Sequence, residues 1–189
     1  VLDDVRAGFR LDLRGSWESL GVRPDLSAWS KAIANGYPLA FVSGNDAYRE
    51  AASQVYATGS FWCGSVAMAA AMATLDVLEQ HDAVAHMQRM GERLRAGLQA
   101  QAQRHGVGIR QSGPAQMPQV LFDDDPSFER GMLFTQVALE HGVYLHPRHN
   151  MFLSLAHTPA DIDEALQATD LALGAVAARF GAGAATAGA

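Results

Sequence analysis

The sequence predicts an α/β protein. Short apolar runs that end in turn residues alternate with longer segments whose apolar residues recur every three or four positions. The 189 residues are 49% hydrophobic, enough for a packed core. At the very start, Val1 and Leu2 run into Asp3 and Asp4, the pattern of a buried strand that ends in carboxylates. In open α/β folds that is the carboxyl edge of a parallel sheet, where ligands bind. Such a strand would begin before Val1, so the chain is expected to be the C-terminal piece of a longer protein.

Between Arg6 and Val22 three glycines interrupt the apolar residues, which predicts irregular structure with a short helix at most. Leu26 to Trp29 forms an extended run into Ser30 and Lys31. Leu39 to Ser43 is a second strand, followed by a helix from Asp46 to about Ser53. From Ser65 to Leu78 small and apolar residues recur without a polar face, so this helix is expected to be buried on most sides, with Ser65 as its N-cap. A more polar helix spans Ala83 to His105, with Met87, Met90, Leu94 and Leu98 at spacings of three and four.

After Gly106 the elements shorten: strands at Val107–Arg110 and Gln119–Phe122, a helix over Ser127–His141, and strands at Val143–Leu145 and Phe152–Leu155. Thr158 and Pro159 then open a helix that reaches about Ala178. The expected organisation is the end of a large domain over 1–80, a connecting helix over 81–105, a small α/β domain over 106–180, and a glycine and alanine tail over 181–189 that is too simple to pack.

The formal net charge of −6, with no basic run, argues against nucleic acid as a partner. No stretch approaches the roughly 18 apolar residues of a membrane span. The single cysteine, Cys63, excludes an intrachain disulfide and reads as a packed thiol, which suits the cytoplasm. Of the 14 basic residues, 13 are arginine and one is lysine, Lys31.

That lysine draws attention because of its company. An amine near its ordinary pKa of about 10.4 is a poor nucleophile, whereas a desolvated one forms an imine with a carbonyl. Pyridoxal 5'-phosphate chemistry needs such an amine, a carboxylate for the ring nitrogen, and backbone N–H groups with a hydroxyl at a helix start for the phosphate. Lys31, Asp3 and Ser60 are the matching residue types.

At these residues the chain resembles the class III pyridoxal-phosphate-dependent aminotransferases of fold type I, in the branch that contains glutamate-1-semialdehyde aminomutase. Four ordered stretches carry the resemblance: Leu2 to Arg10, Gly21 to Lys31, Gly59–Ser60 with Ala67 to Ala70, and Gly142 to Leu145 with Leu153 to Asp163. The resemblance implies that residues 1–80 are the C-terminal part of the cofactor domain. It implies that Lys31 holds the cofactor as a Schiff base and moves a proton, that Asp3 pairs with the ring nitrogen, and that Val5 packs on one ring face. It further implies that Ser60, where the family has threonine, reaches the phosphate of the neighbouring subunit's cofactor in a homodimer. The family's second ring-stacking aromatic and its glycine-serine-threonine phosphate turn would lie upstream of Val1.

Two departures bear on the reaction. Trp62 stands where the family has small residues after the phosphate contact, which puts a bulky aromatic beside the site. The loop Pro147, Arg148, His149, Asn150 lacks the glutamate of the aminomutases, which favours amino transfer between a small-molecule amino donor and a carbonyl acceptor over transfer within one substrate. Arg148 or His149 would meet a substrate carboxylate. The competing readings are an aminomutase and a non-catalytic interaction module in which Lys31 is an ordinary surface residue.

His146, His149 and His157 lack the carboxylate or cysteine partners of a metal centre, so no metal is expected. Asp123 to Asp125 read as a solvated turn, and Asp4 as a helix or loop cap near the site, open to a structural and a functional reading alike.

Overall fold

Asp3 and Ala28 are partners across a parallel strand pair, and the first half of the chain is arranged around that pair. The computed structural model describes residues 1–62 and 64–181; the readings of Cys63 and of the tail beyond Gly181 lie outside the described residues. Strand β1 (Leu2–Asp3) pairs parallel with β2 (Leu26–Trp29), and β2 pairs antiparallel with β3 (Phe41–Gly44), from Leu26↔Gly44 to Trp29↔Phe41. The antiparallel turn of β3 follows from the connection 30–40, which is too short for the crossover that a parallel neighbour requires.

Trp29 is the wedge of this sheet. Its ring is buried against Phe9, centroids 4.9 Å apart, and stacks on Phe41 at 5.8 Å, while its Nε1 donates to Ser43 Oγ at 2.8 Å. Ile33, Ala34 and Ala71 complete the buried cluster, with Leu13, Leu39, Leu75 and Leu78 packed against it.

Two short helical turns, Asp46–Tyr48 and α1 (Arg49–Ser53), lead to α2 (Ser65–Gln80). The expectation for α2 is overturned twice. The N-cap is Gly64, with Ser65 already inside the helix and no side-chain cap. Only Ala67 and Ala71 are buried, while Val66 is 66% and Met72 63% exposed. One face meets the cluster of Trp29 and Ile33, while Val66, Met68, Met72 and Val77 are exposed, and so an all-round apolar pattern gives a one-sided burial.

The chain divides into two compact units, Val1–Val84 and Ala85–Ala189, with the division in the first turn of α3 (Ala83–His105). In the second unit Met87, Met90, Leu94, Leu98 and Ala102 form the buried stripe of α3, as their spacing predicts. They meet α5 (Pro159–Phe180), whose Ile162, Ala172, Leu173 and Val176 are buried. Polar groups inside this contact are satisfied: Thr169 Oγ1 donates to Gln101 Oε1 at 2.8 Å, and Gln101 Nε2 donates to the Leu166 carbonyl at 2.6 Å. Gly91 lets α3 touch residue 115, where a Cβ would overlap the Ala115 carbonyl.

Strands β4 (Ile109–Ser112) and β5 (Gln119–Phe122) form an antiparallel pair, and α4 (Glu129–Glu140) packs on α5. The strands expected at Val143–Leu145 and Phe152–Leu155 do not form. Leu145 and Leu153 are buried, but the segment is turned by Pro147. Its backbone N–H groups meet the β4–β5 connection at two points, Met151 N to the Pro118 carbonyl and Leu153 N to the Gln116 carbonyl, at 2.8 and 3.0 Å. Asp125 also departs from expectation. Its carboxylate accepts from the Arg130 and Gly131 N–H groups at 3.0 and 2.9 Å and so caps α4.

At the start of α5 the Thr158 side chain accepts from Asp161 N and Asp161 Oδ2 accepts from Thr158 N, with Pro159 in the first turn. Those bonds hold the Asp161 carboxyl below the usual carboxylate range. Further along α5, partial burial raises the Asp170 carboxyl, but hydrogen bonds and charge from His105 and Arg104 outweigh it and leave the carboxyl lowered.

Two outcomes follow. Leu98→Ala, at a residue 1% exposed, is expected to lower stability by about 3 kcal/mol in urea unfolding. Because Asp170 is lowered on folding, its contribution is present above the unfolded value near 3.8 and vanishes as pH falls through the folded value. Asp170→Asn is therefore expected to be less stable than the parent at pH 7, by at most about 1 kcal/mol after solvent screening, with the difference closing below about pH 4 in thermal melts.

Candidate functional site

The site is built on the carboxyl ends of β1 and β2. Parallel strands end on the same side, so Asp3, the last residue of β1, and Lys31, two residues past β2, are delivered to one edge of the sheet by the Asp3↔Ala28 register. Asp3 is exposed, and its Oδ1 accepts from Val5 N at 3.1 Å, which orients the carboxylate and leaves its second oxygen without a protein donor among the described residues. Val5 is half-buried in the turn that follows.

Lys31 opens a 3-10 turn over Lys31–Ala34 and has φ +52°, a left-handed backbone that costs a non-glycine residue about 1 kcal/mol or more. The turn is held in this strained form from both sides. Ile33 and Ala34 are 3% and 1% exposed in the Trp29 cluster, while Ser30 Oγ donates to the Leu39 carbonyl at 2.8 Å. The Lys31 side chain itself is exposed and lines an open cavity of about 370 Å³, shared with Arg10, Ser30, Asn35 and Tyr37. Burial lowers the Arg10 guanidinium below its ordinary value.

Between the two strands the chain passes Gly8, which cannot be enlarged. A Cβ there would stand 2.7 Å from both the Asp4 carbonyl and Trp29 Cε3. Asp3, Val5 and Lys31 are thus set by a backbone pressed onto the Trp29 ring.

Ser60 and Trp62 do not join this cluster through any bond among the described residues. Both are exposed in a turn ahead of α2, in which Trp62 N donates to the Gly59 carbonyl at 3.0 Å. Arg148 and His149 belong to the second unit and form a group of their own. The Arg148 guanidinium lies over the Phe128 ring at 4.6 Å, the Arg148 backbone N–H donates to His146 Nδ1 at 3.1 Å, and the His149 ring lies 6.0 Å from those of both His146 and Phe152. No cluster with metal-ligand character occurs among the described residues, and no helix of theirs is long and apolar enough to cross a membrane.

Two features of the site were not read from the sequence. The left-handed Lys31 carries no local signal, because a lysine is not a residue that favours that conformation. Arg10 in the same cavity has only its place eight residues after Leu2.

Gly8→Ala is expected to lower stability by about 1–3 kcal/mol, read by urea unfolding, since neither the Asp4 carbonyl nor the Trp29 ring can yield without moving β1 against β2.

The family model described as Aminotransferase class-III matches residues 1–173. An aminopentol aminotransferase of Sphingopyxis macrogoltabida is 51% identical over 180 residues, which cover 95% of this chain and 43% of that protein. A glutamate-1-semialdehyde 2,1-aminomutase of Desulfitobacterium hafniense is 34% identical, over 88% of this chain and 42% of that protein. Among solved structures, the PLP internal aldimine form of the FumI protein of Sphingopyxis sp. MTA144 matches with a TM-score of 0.91 and 51% identity, over 94% of this chain and 43% of that one. The chain spans under half the length of the curated relatives it matches.

Proposed function

Because the chain belongs to the class III aminotransferase family and has the fold of the pyridoxal-phosphate-dependent transferases, we propose that it carries the lysine end of the active site of an aminotransferase. The enzyme moves an amino group between a small-molecule amino donor and a carbonyl acceptor. The observation that carries this reading is Lys31, the only lysine in the chain, held in a left-handed turn at the same sheet edge as Asp3.

The residues present fit pyridoxal phosphate. Asp3 has a carboxylate oxygen open to a ring N–H, and the cavity beside Lys31 has room for a small ring. When bound, the cofactor supplies the electron sink for a carbanion at the substrate's α carbon. Lys31 Nζ would hold the cofactor and, when free, would carry the proton at the substrate's α carbon. Asp3 would pair with the ring nitrogen. Val5 would face the ring. Residues 1–80 serve as the end of the cofactor domain and 106–180 as the small domain, with Trp62, Arg148 and His149 on the substrate side.

The enzyme works as a homodimer in the cytoplasm, in which Ser60 supplies its hydroxyl to the phosphate held by the partner subunit. This is supported by its place in the exposed turn before α2 and by the unpartnered apolar surface of that helix. Transfer between two molecules is favoured over aminomutase chemistry by Arg148, His149 and Asn150, which stand where the aminomutases carry a glutamate, and by the 51% identity to an aminopentol aminotransferase. The amino donor class that follows is an amine on a polyhydroxylated chain.

The test uses the full-length protein that contains this chain. Pyridoxal phosphate is expected to give a visible absorbance band that borohydride removes while tagging Lys31, and Lys31→Ala is expected to lose the band and at least about 1,000-fold in amino transfer. A tag on any other lysine overturns the assignment. Conversion of glutamate 1-semialdehyde to 5-aminolevulinate with no added donor or acceptor would favour the aminomutase instead.

A further inference from the structure

We propose that Asp4, which the chemistry above leaves unused, is a positioning residue that sets the direction of the Asp3 carboxylate relative to Lys31. The proposal rests on the assignment of Asp3 and Lys31 to the cofactor. Asp4 is 1% exposed and is bonded at every backbone position: its N–H donates to the Ala28 carbonyl at 2.9 Å and its carbonyl accepts from Gly8 N at 3.0 Å. Its side chain adds a third tie, with Oδ2 accepting from Ser16 N at 2.8 Å across twelve residues of chain.

Three segments therefore converge on this residue: strand β2, the turn to Gly8, and the loop at Gly15–Ser16. The bond to Ala28 is what closes the Asp3↔Ala28 pair, on the strand that ends just before Lys31. With Asp4 locked, the next N–H, that of Val5, is aimed at Asp3 Oδ1. The plane of that peptide decides which Asp3 oxygen is engaged and which is left for a ring nitrogen.

The remaining atom strengthens the argument. Asp4 Oδ1 is buried and has no hydrogen-bond partner among the described residues. A carboxylate kept only for packing would be better replaced by an apolar side chain, since an orphaned buried oxygen is a net loss. What the side chain does supply is the acceptor for Ser16, and through it a fixed turn under Asp3. This is tolerated where geometry at a reacting group is the benefit.

The experiment compares Asp4→Ala, Asp4→Asn and Asp3→Ala in the full-length protein. It reads pyridoxal phosphate retention on gel filtration, the pH profile of the visible band, and the melting temperature of the cofactor-free form. Asp4→Ala is expected to weaken retention about tenfold and to move the pH profile of the band. Asp4→Asn, which can still accept from Ser16, is expected to stay within about twofold of the parent. A residue of purely structural value would lower the melting temperature and leave the pH profile in place, and that result overturns the proposal, as does an Asn variant as impaired as Ala. If Asp4→Ala does not fold, Gly15→Ala replaces it. Gly15 has φ +129°, so a side chain there strains the loop and displaces the Ser16 N–H, while its Cβ stands at an ordinary contact distance of 3.5 Å from Asp4 Oδ2, and an unmoved pH profile in that variant counts against the proposal. If Asp3→Ala itself leaves the band unchanged, the cofactor assignment fails instead.

Discussion

The parallel pairing of β1 with β2 is the constraint on which the candidate site depends. It is only two residues long, Leu2↔Ser27 and Asp3↔Ala28, yet it puts a carboxylate and an amine that are 28 positions apart at one sheet edge. So short a ladder is not stable by itself. Trp29 makes it so, by filling the space under the strands with a ring that touches Phe9 on one side and Phe41 on the other. Gly8 is the matching cavity: the absence of a side chain there is what lets the turn after Asp3 lie against the ring.

The two units solve the problem of a core differently. The second has a continuous apolar stripe on α3 facing one on α5, with its buried polar atoms paired, and it needs nothing unusual from the backbone there. The first has a smaller cluster and carries most of the exposed large apolar side chains, Val42, Val55, Tyr56, Phe61, Trp62, Val66 and Met72 among them. It also holds Lys31 in a conformation that lysine avoids. Strain and exposed apolar surface thus fall in the unit that holds the candidate site.

Much of this was legible in the amino-acid order. The α3 stripe, strands β2 and β5 and the Thr158 cap are local patterns, and local patterns survive into the fold. The errors came where apolar residues answer to tertiary contacts. Leu145 and Leu153 are buried without being strands, since their segment is turned at Pro147 and does not run in register with a neighbouring strand. Helix α2 reads as buried all round because its residues are small and apolar, and only its face toward Ile33 and Ala34 is so. For the candidate site, residue types pointed to Lys31, Asp3 and Ser60, of which Ser60 stands apart from the other two, while the bonds at Asp4 and the left-handed turn come from contacts between distant segments that no local pattern encodes.

The left-handed turn at Lys31 carries an evolutionary corollary. Asparagine or glycine would adopt φ +52° at less cost, so a chain that lost the lysine to either would fold at least as well as before. Folding therefore does not select for lysine at this position, and under the proposed assignment chemistry alone does. Were the proposed chemistry lost, this position could change with the sheet, the tryptophan wedge and the helices left as they are.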